Sequence, residues 1–167
     1  MIEPFSKIKD YEKQIRDRKN NAEIQYLETL LPYLNNEDVI QELSYILITE
    51  DNSIVADIII GSTTKQEDIE CLNNVNLNPV HGCEIMDVTR KRTYEMSTED
   101  IREFFEIVSK KIADYRKPYF DYVWTSISPE QNLLLRLERT GYRHINHTNK
   151  YYKRISNRNS FRIATEL

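Results

Sequence analysis

The hydrophobic period of the sequence changes abruptly between residues 97 and 127, and this change constrains the fold more than any other feature. Ser97 precedes an acidic turn, and a serine there is suited to cap the free amides of a helix. The apolar residues that follow recur at helical spacing and form one stripe: Ile101, Phe104, Phe105, Val108, Ile112 and Tyr115. Pro118 ends this helix, and residues 119–127 alternate as in a strand, with Phe120, Tyr122 and Trp124 on one face. The pattern predicts a helix packed on a sheet.

The other segments extend this pattern into an α+β arrangement. A polar break at 18–21 divides residues 7–31 into two predicted helices, and the polar turn 50–53 joins two β-rich segments into a predicted antiparallel hairpin. A Ser-Pro-Glu-Gln start and a terminal glycine predict a further helix from Ser128 to Gly141. The predicted strands are 41–49, 54–61, 83–93, 119–127 and 143–155.

The 167 residues contain 3 Gly, 5 Pro and no Gly/Ser-rich or Pro-rich linker, which predicts a single domain over 1–167. Residues 65–82 hold one helical turn and an Asn-rich stretch, and we interpret them as an inserted loop. No long apolar window or signal peptide is present, so we expect no membrane contact and a cytoplasmic location. The 2 cysteines lack the spacing of a disulfide scaffold or a zinc site.

Charge is unevenly distributed along the chain. The net charge is −4, but residues 1–83 carry 7 Lys and Arg against 15 Asp and Glu, whereas residues 84–167 carry 16 against 12. A run without carboxylates comprises Arg139, Arg143, Lys150, Lys153, Arg154, Arg158 and Arg162. This run suits a nucleic acid or a phosphorylated cofactor, and the alternative is a solvated strand edge kept from pairing by its charges.

The closing part of the chain resembles the GNAT acyltransferase superfamily, whose members use acyl-coenzyme A to acylate amines. The resemblance rests on Trp124-Thr125-Ser126 leading into the helix that ends at Gly141-Tyr142, and on the final strand. It implies a mixed, mostly antiparallel sheet with helices on both faces. The pieces Tyr94-Glu95-Met96-Ser97, Tyr122-Val123-Trp124 and Leu137-Glu138-Arg139-Thr140-Gly141 look most like small acetyltransferase-like proteins of tailed phages, some of which are virion components.

The resemblance also locates a cofactor loop and shows three departures from the family pattern. The loop that receives the coenzyme A pyrophosphate in the family, R-x-x-G-x-G/A, corresponds to Arg92-Thr93-Tyr94-Glu95-Met96-Ser97. Glu95 replaces the first glycine, and its carboxylate repels a diphosphate while its side chain narrows the backbone approach. Leu137 stands where the family often has a tyrosine that protonates the thiolate, and Glu130 where it often has an asparagine.

Glu84 and Asp87 lie on the central strand where the family commonly places a carboxylate base. The competing interpretation is that both are exposed or pair with Arg90 and Arg92. His144 and His147, three apart on a predicted strand, point to opposite faces, so no metal site is predicted.

Three functions follow from these observations. The first is a GNAT-like protein with a degenerate acetyl-CoA site and no bound cofactor, serving as a structural or accessory component of a phage virion. Its partners would be proteins of that assembly, contacted through loop 73–78 and the basic C-terminal tail 156–167. The second is an active N-acetyltransferase that uses acetyl-CoA and Glu84 or Asp87. The third is a nucleic-acid-binding accessory protein that uses the basic run from Arg139 to Arg162.

Overall fold

The computed structural model describes residues 1–91, 96–127 and 140–155. These residues form seven strands, β1 (Ile2–Pro4), β2 (Tyr45–Ile48), β3 (Ile54–Ser62), β4 (Gly82–Arg90), β5 (Tyr122–Ser126), β6 (Arg143–His144) and β7 (Lys150–Arg154). They also form four α-helices, α1 (Lys9–Asp17), α2 (Asn21–Leu30), α3 (Gln66–Asn73) and α4 (Thr98–Asp114).

All seven strands belong to one sheet in the order β1-β2-β3-β4-β5-β7-β6. Five of its six neighbouring pairs are antiparallel, and only β4 and β5 run parallel. The chain makes this parallel crossover through α4, which is what a parallel pair requires. The predicted mixed, mostly antiparallel sheet is therefore confirmed.

Helices cover both faces of the sheet. On one face, the apolar stripe of α4 packs against β2, β3, β4, β5 and β7 in the largest core cluster. On the other face, α1 and α2 pack against β2 and β3. Side chains from α3, β5 and the β6–β7 turn form a smaller cluster beside them. We call these the α4 face and the α1–α3 face.

The predicted start of α4 is confirmed. The Ser97 hydroxyl accepts a hydrogen bond from the Asp100 amide at 3.1 Å, and Glu99 and Asp100 lie at the positive end of the helix dipole. The stripe residues Ile101, Phe104, Phe105, Val108 and Ile112 are buried. The helix ends at Asp114, one residue before the last position of the predicted stripe.

Several predicted boundaries are wrong. Residues 41–43 form a 3-10 helix rather than the start of a strand. The one helical turn predicted within the loop 65–82 is present as α3, and the loop also contains a 3-10 turn, Pro79–His81. Phe120 lies before β5 and packs on the α4 face, opposite Tyr122 and Trp124. The predicted strand 143–155 is two strands, and His147 lies in the turn between them at a φ of 65°.

The short first strand β1 was not predicted, because three residues are too few to show alternation. The break between α1 and α2 is confirmed, with Asn20 capping α2 through the Glu23 amide at 3.2 Å. No helix among the described residues has the length and apolar character needed to cross a bilayer. The predicted helix from Ser128 lies outside the described residues.

Candidate functional site

The site is built around β4. This strand pairs with β5 on one side and with β3 on the other, and the two pairings cover different parts of its length. It pairs with β5 over three positions, Gly82 with Tyr122, Cys83 with Val123 and Glu84 with Trp124. It pairs with β3 as far as Arg90. Beyond Glu84 the parallel pairing ends, and Thr125 bonds the Ile85 carbonyl through its side chain, at 3.2 Å. The backbone pairing of the two strands therefore ends at Glu84.

A β-bulge in β4 sets which of its side chains share a face. Ile60 is opposite Ile85 and Ile59 is opposite Asp87, so Met86 is an additional residue without a partner position on β3. Met86 turns toward the α1–α3 face and packs there. Gly61 provides the room, because a Cβ at that position would overlap the Met86 side chain.

The bulge brings the two predicted carboxylates, Glu84 and Asp87, onto one face. Residues three apart on a regular strand point to opposite faces. Here Glu84 is opposite Gly61 and Asp87 is opposite Ile59, and these two β3 residues share one face because they are two apart. Ile59 belongs to the core under α1 and α2, so Glu84 and Asp87 both lie on the α1–α3 face.

Glu84 is partly buried at the point where β4 and β5 part. Burial, and to a smaller extent the neighbouring Asp68 carboxylate, raise the pKa of Glu84 to about 7. Lys65 and, to a smaller extent, Lys150 oppose this rise in the pKa of Glu84. Lys150 also forms an ion pair with Asp68, at 3.1 Å. Trp124 lies opposite Glu84 in the pairing, and its indole Nε1 donates to the Thr63 hydroxyl at 2.8 Å. The Glu84 carboxyl therefore sits in a rigid, partly dry environment.

A second carboxyl group lies beside Asp87. Asp57 of β3 is 0% exposed, and its side chain lies on the same face as Asp87. Burial and the Asp87 carboxyl raise the pKa of Asp57 well above its usual range. Tyr26 of α2 donates to Asp57 Oδ1 at 2.5 Å, and Thr89 donates to Asp87 Oδ2 at 3.3 Å. The two carboxyls thus lie on one face of adjacent strands, and each accepts a hydrogen bond from a different hydroxyl.

Tyr33 follows α2 and reaches the bulge of β4. Its hydroxyl donates to the Met86 carbonyl at 3.3 Å. Burial raises the pKa of Tyr33, and the Asp87, Asp57 and Glu84 carboxylates raise it further. Tyr33 therefore lies on the same face of the sheet as the three carboxyl groups.

The predicted cofactor loop is described only in part. Ser97 caps α4, and Met96 packs against the α4-face core. Arg92, Thr93, Tyr94 and Glu95 lie outside the described residues, as do Glu130 and Leu137.

Met96 also lines a cleft of about 660 Å³ between α4 and the end of β2. Glu50, Asp51, Asp100 and Glu103 contribute to its walls. These carboxylates repel a diphosphate, so this cleft does not suit the pyrophosphate of coenzyme A.

Part of the predicted basic run has internal contacts. Lys150 pairs with Asp68 and lies 5.5 Å from the Trp124 ring centroid, and Lys153 lies 5.7 Å from that of Tyr142. Arg143 and Arg154 are exposed, whereas the tail 156–167 lies outside the described residues.

Sequence reasoning missed Asp57, Tyr26 and Tyr33. Asp57 did carry a signal, since it is the one charged residue in an otherwise apolar strand, Ile54–Ser62. A carboxylate in such a strand is costly to bury unless it has a partner. The two tyrosines carried no such signal, because tyrosines at helical spacing are typical of a core.

Comparisons with known proteins show which solved structures share this fold. No family model matches the chain, and no curated protein matches its sequence. FeeM, an N-acyl amino acid synthase from uncultured soil microbes, aligns with 98% of this chain and 98% of its own, at 13% identity and a TM-score of 0.54. NAA60 of Arabidopsis thaliana, solved with a bisubstrate analogue, aligns with 93% of this chain and 98% of its own, at 14% identity and a TM-score of 0.52.

A GNAT-family acetyltransferase from Listeria monocytogenes also aligns with 93% of this chain and 94% of its own, at 13% identity and a TM-score of 0.49. The matches to FeeM and NAA60 extend over nearly the whole chain. The chain therefore has the GNAT acetyltransferase fold.

Proposed function

We propose that this protein is an acyl-CoA-dependent N-acyltransferase in which Glu84 is the general base. The observation that carries the proposal is the Glu84 carboxyl itself, which lies where β4 and β5 part and has a pKa raised to about 7 by burial. A base is most effective when its pKa is near the working pH, because it is then both available and strong enough to take a proton.

The ends of β4 and β5 beyond their pairing suit an extended acyl donor. The parallel pairing ends at Glu84 while both strands continue, so backbone groups on the facing strand edges are not used in pairing these two strands. The pantetheine arm of coenzyme A carries two amides, which can pair with a strand edge as an added peptide strand does. The start of α4, with its free amides, is the place that the GNAT resemblance assigns to the pyrophosphate.

The chemical step then needs one proton acceptor and a correctly placed thioester. Glu84 takes a proton from the acceptor ammonium, and the freed nitrogen lone pair attacks the thioester carbonyl carbon. The new C–N bond forms as the C–S bond breaks, and the sulfur leaves with the bonding pair as a thiolate. The nitrogen loses its second proton to solvent, and the thiolate is protonated from solvent. Orientation of the two substrates supplies much of the rate enhancement.

The three departures from the family pattern, Glu95, Glu130 and Leu137, lie outside the described residues. They motivate the alternative that the fold serves as a non-catalytic, accessory component of a phage particle, with loop 73–78 and the tail 156–167 as contacts. Nucleic-acid binding by the basic run is the third alternative. Both stay predictions.

Two measurements test the proposal. Calorimetry measures the affinity of the wild-type protein and of Glu95→Gly for acetyl-CoA, the acyl donor. We expect micromolar binding by the wild-type protein, about −8 kcal/mol. Acetylation of a panel of primary amines then measures transfer. Glu84→Gln should lower the rate by about 100-fold or more. Asp114→Asn, which removes an exposed carboxylate at the end of α4, should not change it.

Absence of acetyl-CoA binding by the wild-type protein would overturn the proposal. A gain of binding by Glu95→Gly in that case would support a degenerate donor site. Equal transfer rates for the wild-type protein and Glu84→Gln would remove Glu84 from the mechanism.

A further inference from the structure

A nearly buried ion pair joins α3 to β7 beside the candidate base. Lys150 Nζ lies 3.1 Å from Asp68 Oδ1, and the two side chains are only 14% and 9% exposed. Asp68 belongs to α3, which lies within the inserted segment 65–82, and Lys150 is the first residue of β7. Since β5 separates β7 from β4 in the sheet, the pair connects the inserted segment to the neighbourhood of Glu84.

Attachment of α3 to the sheet does not need this ion pair. Leu72, one turn after Asp68, is fully buried in one cluster with Tyr122 and Trp124 of β5. A buried ion pair adds little net stability compared with apolar side chains of similar volume, because the cost of desolvating both charges offsets their attraction. The presence of a charged pair here therefore points to a role besides holding the helix.

Lys150 and Glu84 lie on the same face of the sheet, with β5 between them. Glu84 is opposite Trp124 in the β4–β5 pairing, and Lys150 is opposite Ser126, two residues further along β5. The Lys150 ammonium lies 5.5 Å from the Trp124 ring centroid. Within the described part of the chain, no ion pair involves Glu84. Lys150 is thus a nearly buried cation close to Glu84, and its partner is Asp68 instead.

We propose that Asp68 retains the Lys150 ammonium against the Trp124 ring and so keeps it from pairing with Glu84, which stays available to take the proton of the acceptor amine. A carboxylate paired with an ammonium is a weaker base, because the cation stabilises its ionised form. Asp68 and Lys150 are positioning residues, and the inserted segment 65–82 acts on the reaction site through them. The inference rests on the proposed function, since it concerns the residue that serves there as the base.

Other charged groups also act on Glu84. Lys65, just before α3, favours the ionised carboxylate, whereas Asp38, which precedes β2, opposes it as Asp68 does. The Tyr33 hydroxyl and the Asp87 carboxyl lie on the same face of the sheet. Lys65 is exposed, so water screens its charge. Lys150 is nearly buried and needs a partner, so loss of Asp68 leaves Glu84 as the carboxylate with which it pairs.

The experiment follows the titration of the Glu84 carboxyl by carboxyl-carbon NMR in the protein without acetyl-CoA. Asp68→Asn keeps the shape of the side chain and removes its charge. It should lower the pKa of Glu84 from about 7 by at least about one pH unit, because Lys150 then pairs with Glu84. Addition of Lys150→Met to this variant should restore most of that loss. The matched control is Glu67→Gln, which removes an exposed carboxylate from the same turn of α3 and should leave the titration of Glu84 unchanged.

The pH dependence of amine acetylation gives a second readout. Activity that needs a deprotonated base rises as the pH passes the pKa of that base. In Asp68→Asn this rise should move to lower pH by the shift that NMR measures, and the plateau rate should fall because a base of lower pKa accepts a proton less readily. The double variant should regain most of both.

An unchanged titration of Glu84 in Asp68→Asn, or a lowered pKa that Lys150→Met does not restore, would overturn the inference. Transfer whose pH profile is the same in the wild-type protein and in Asp68→Asn would refute the inference and leave the transfer function standing. The expected NMR shifts, together with no transfer to any amine by the wild-type protein, would refute the transfer function and support the action of the ion pair on Glu84.

Discussion

The α4 face and the α1–α3 face of the sheet are built from the same strands, yet they bury different chemistry. The α4-face core is formed by apolar and aromatic side chains, among them Phe104, Ile58 and Ile85. The α1–α3 face also has an apolar core, but it carries the carboxyl groups of Asp57, Glu84 and Asp87.

This difference shows that the two faces of the sheet have different roles. Apolar burial scales with area and needs no particular partner, so the α4 face contributes stability. A buried carboxyl is costly and is retained where its chemistry is used, so the α1–α3 face is where function should lie. Four predictions test this division, from the largest expected effect to the smallest.

Phe104→Ala tests the α4 face. Phe104 is 0% exposed, and its ring lies 4.9 Å from that of Phe105 in an edge-to-face arrangement. The substitution removes buried area and leaves a cavity, so the free energy of unfolding should fall by about 3–5 kcal/mol. Urea denaturation measures this. Glu103→Ala on the exposed side of the same helix is the control, and a comparable loss there would contradict the division between faces.

Gly61→Ala tests the bulge that places both carboxylates on the α1–α3 face. The added methyl group would overlap the Met86 side chain and lie 3.2 Å from the Asp38 carbonyl oxygen. We expect a loss of about 1–3 kcal/mol in the free energy of unfolding. In a double-mutant cycle Met86→Ala should relieve part of this loss, because it removes the side chain that the new methyl group meets. Strict additivity of the two substitutions would show that Met86 does not occupy that space.

The pH dependence of stability tests the burial of Glu84. Its folded-state pKa of about 7 is above the ordinary value of 4.5, so the native state binds this proton more tightly than the unfolded chain does. That stabilisation is fully present below about pH 4.5 and is lost as the pH rises to about 7. Relative to Glu84→Gln, the wild-type protein should therefore lose stability over this range. Denaturation at several pH values measures this. If the free energies of unfolding of the two proteins changed with pH in parallel, Glu84 would be exposed to solvent in the folded protein.

Ser97→Ala gives the smallest expected effect and tests the end of α4 nearest the cofactor loop. Loss of the hydroxyl leaves the Asp100 amide without its capping acceptor, and the free energy of unfolding should fall by about 1 kcal/mol. Ser97→Asp supplies another capping oxygen and should restore it. Thermal unfolding of the three proteins measures the effect. If Ser97→Asp were no more stable than Ser97→Ala, the hydroxyl would have a role besides capping.

Much of the fold was predictable because the responsible signals are local. The Ser97 cap, the apolar stripe of α4 and the polar break between α1 and α2 each lie within a few residues of the structure they specify. The β2–β3 hairpin was found from its polar turn. Glu84 and Asp87 were found through the family resemblance together with their place on the central strand.

The arrangement of the site was decided by tertiary structure alone. Regular alternation places Glu84 and Asp87 on opposite faces, and only the pairing of β4 with β3 introduces the bulge at Met86 that unites them. The placement of Asp57 and Asp87 on one face likewise depends on the register of β3 against β4. The sequence by itself determined the elements, because helix and strand periods are short-range. Register and burial are long-range, and they decided which carboxyls meet and which pKa values shift.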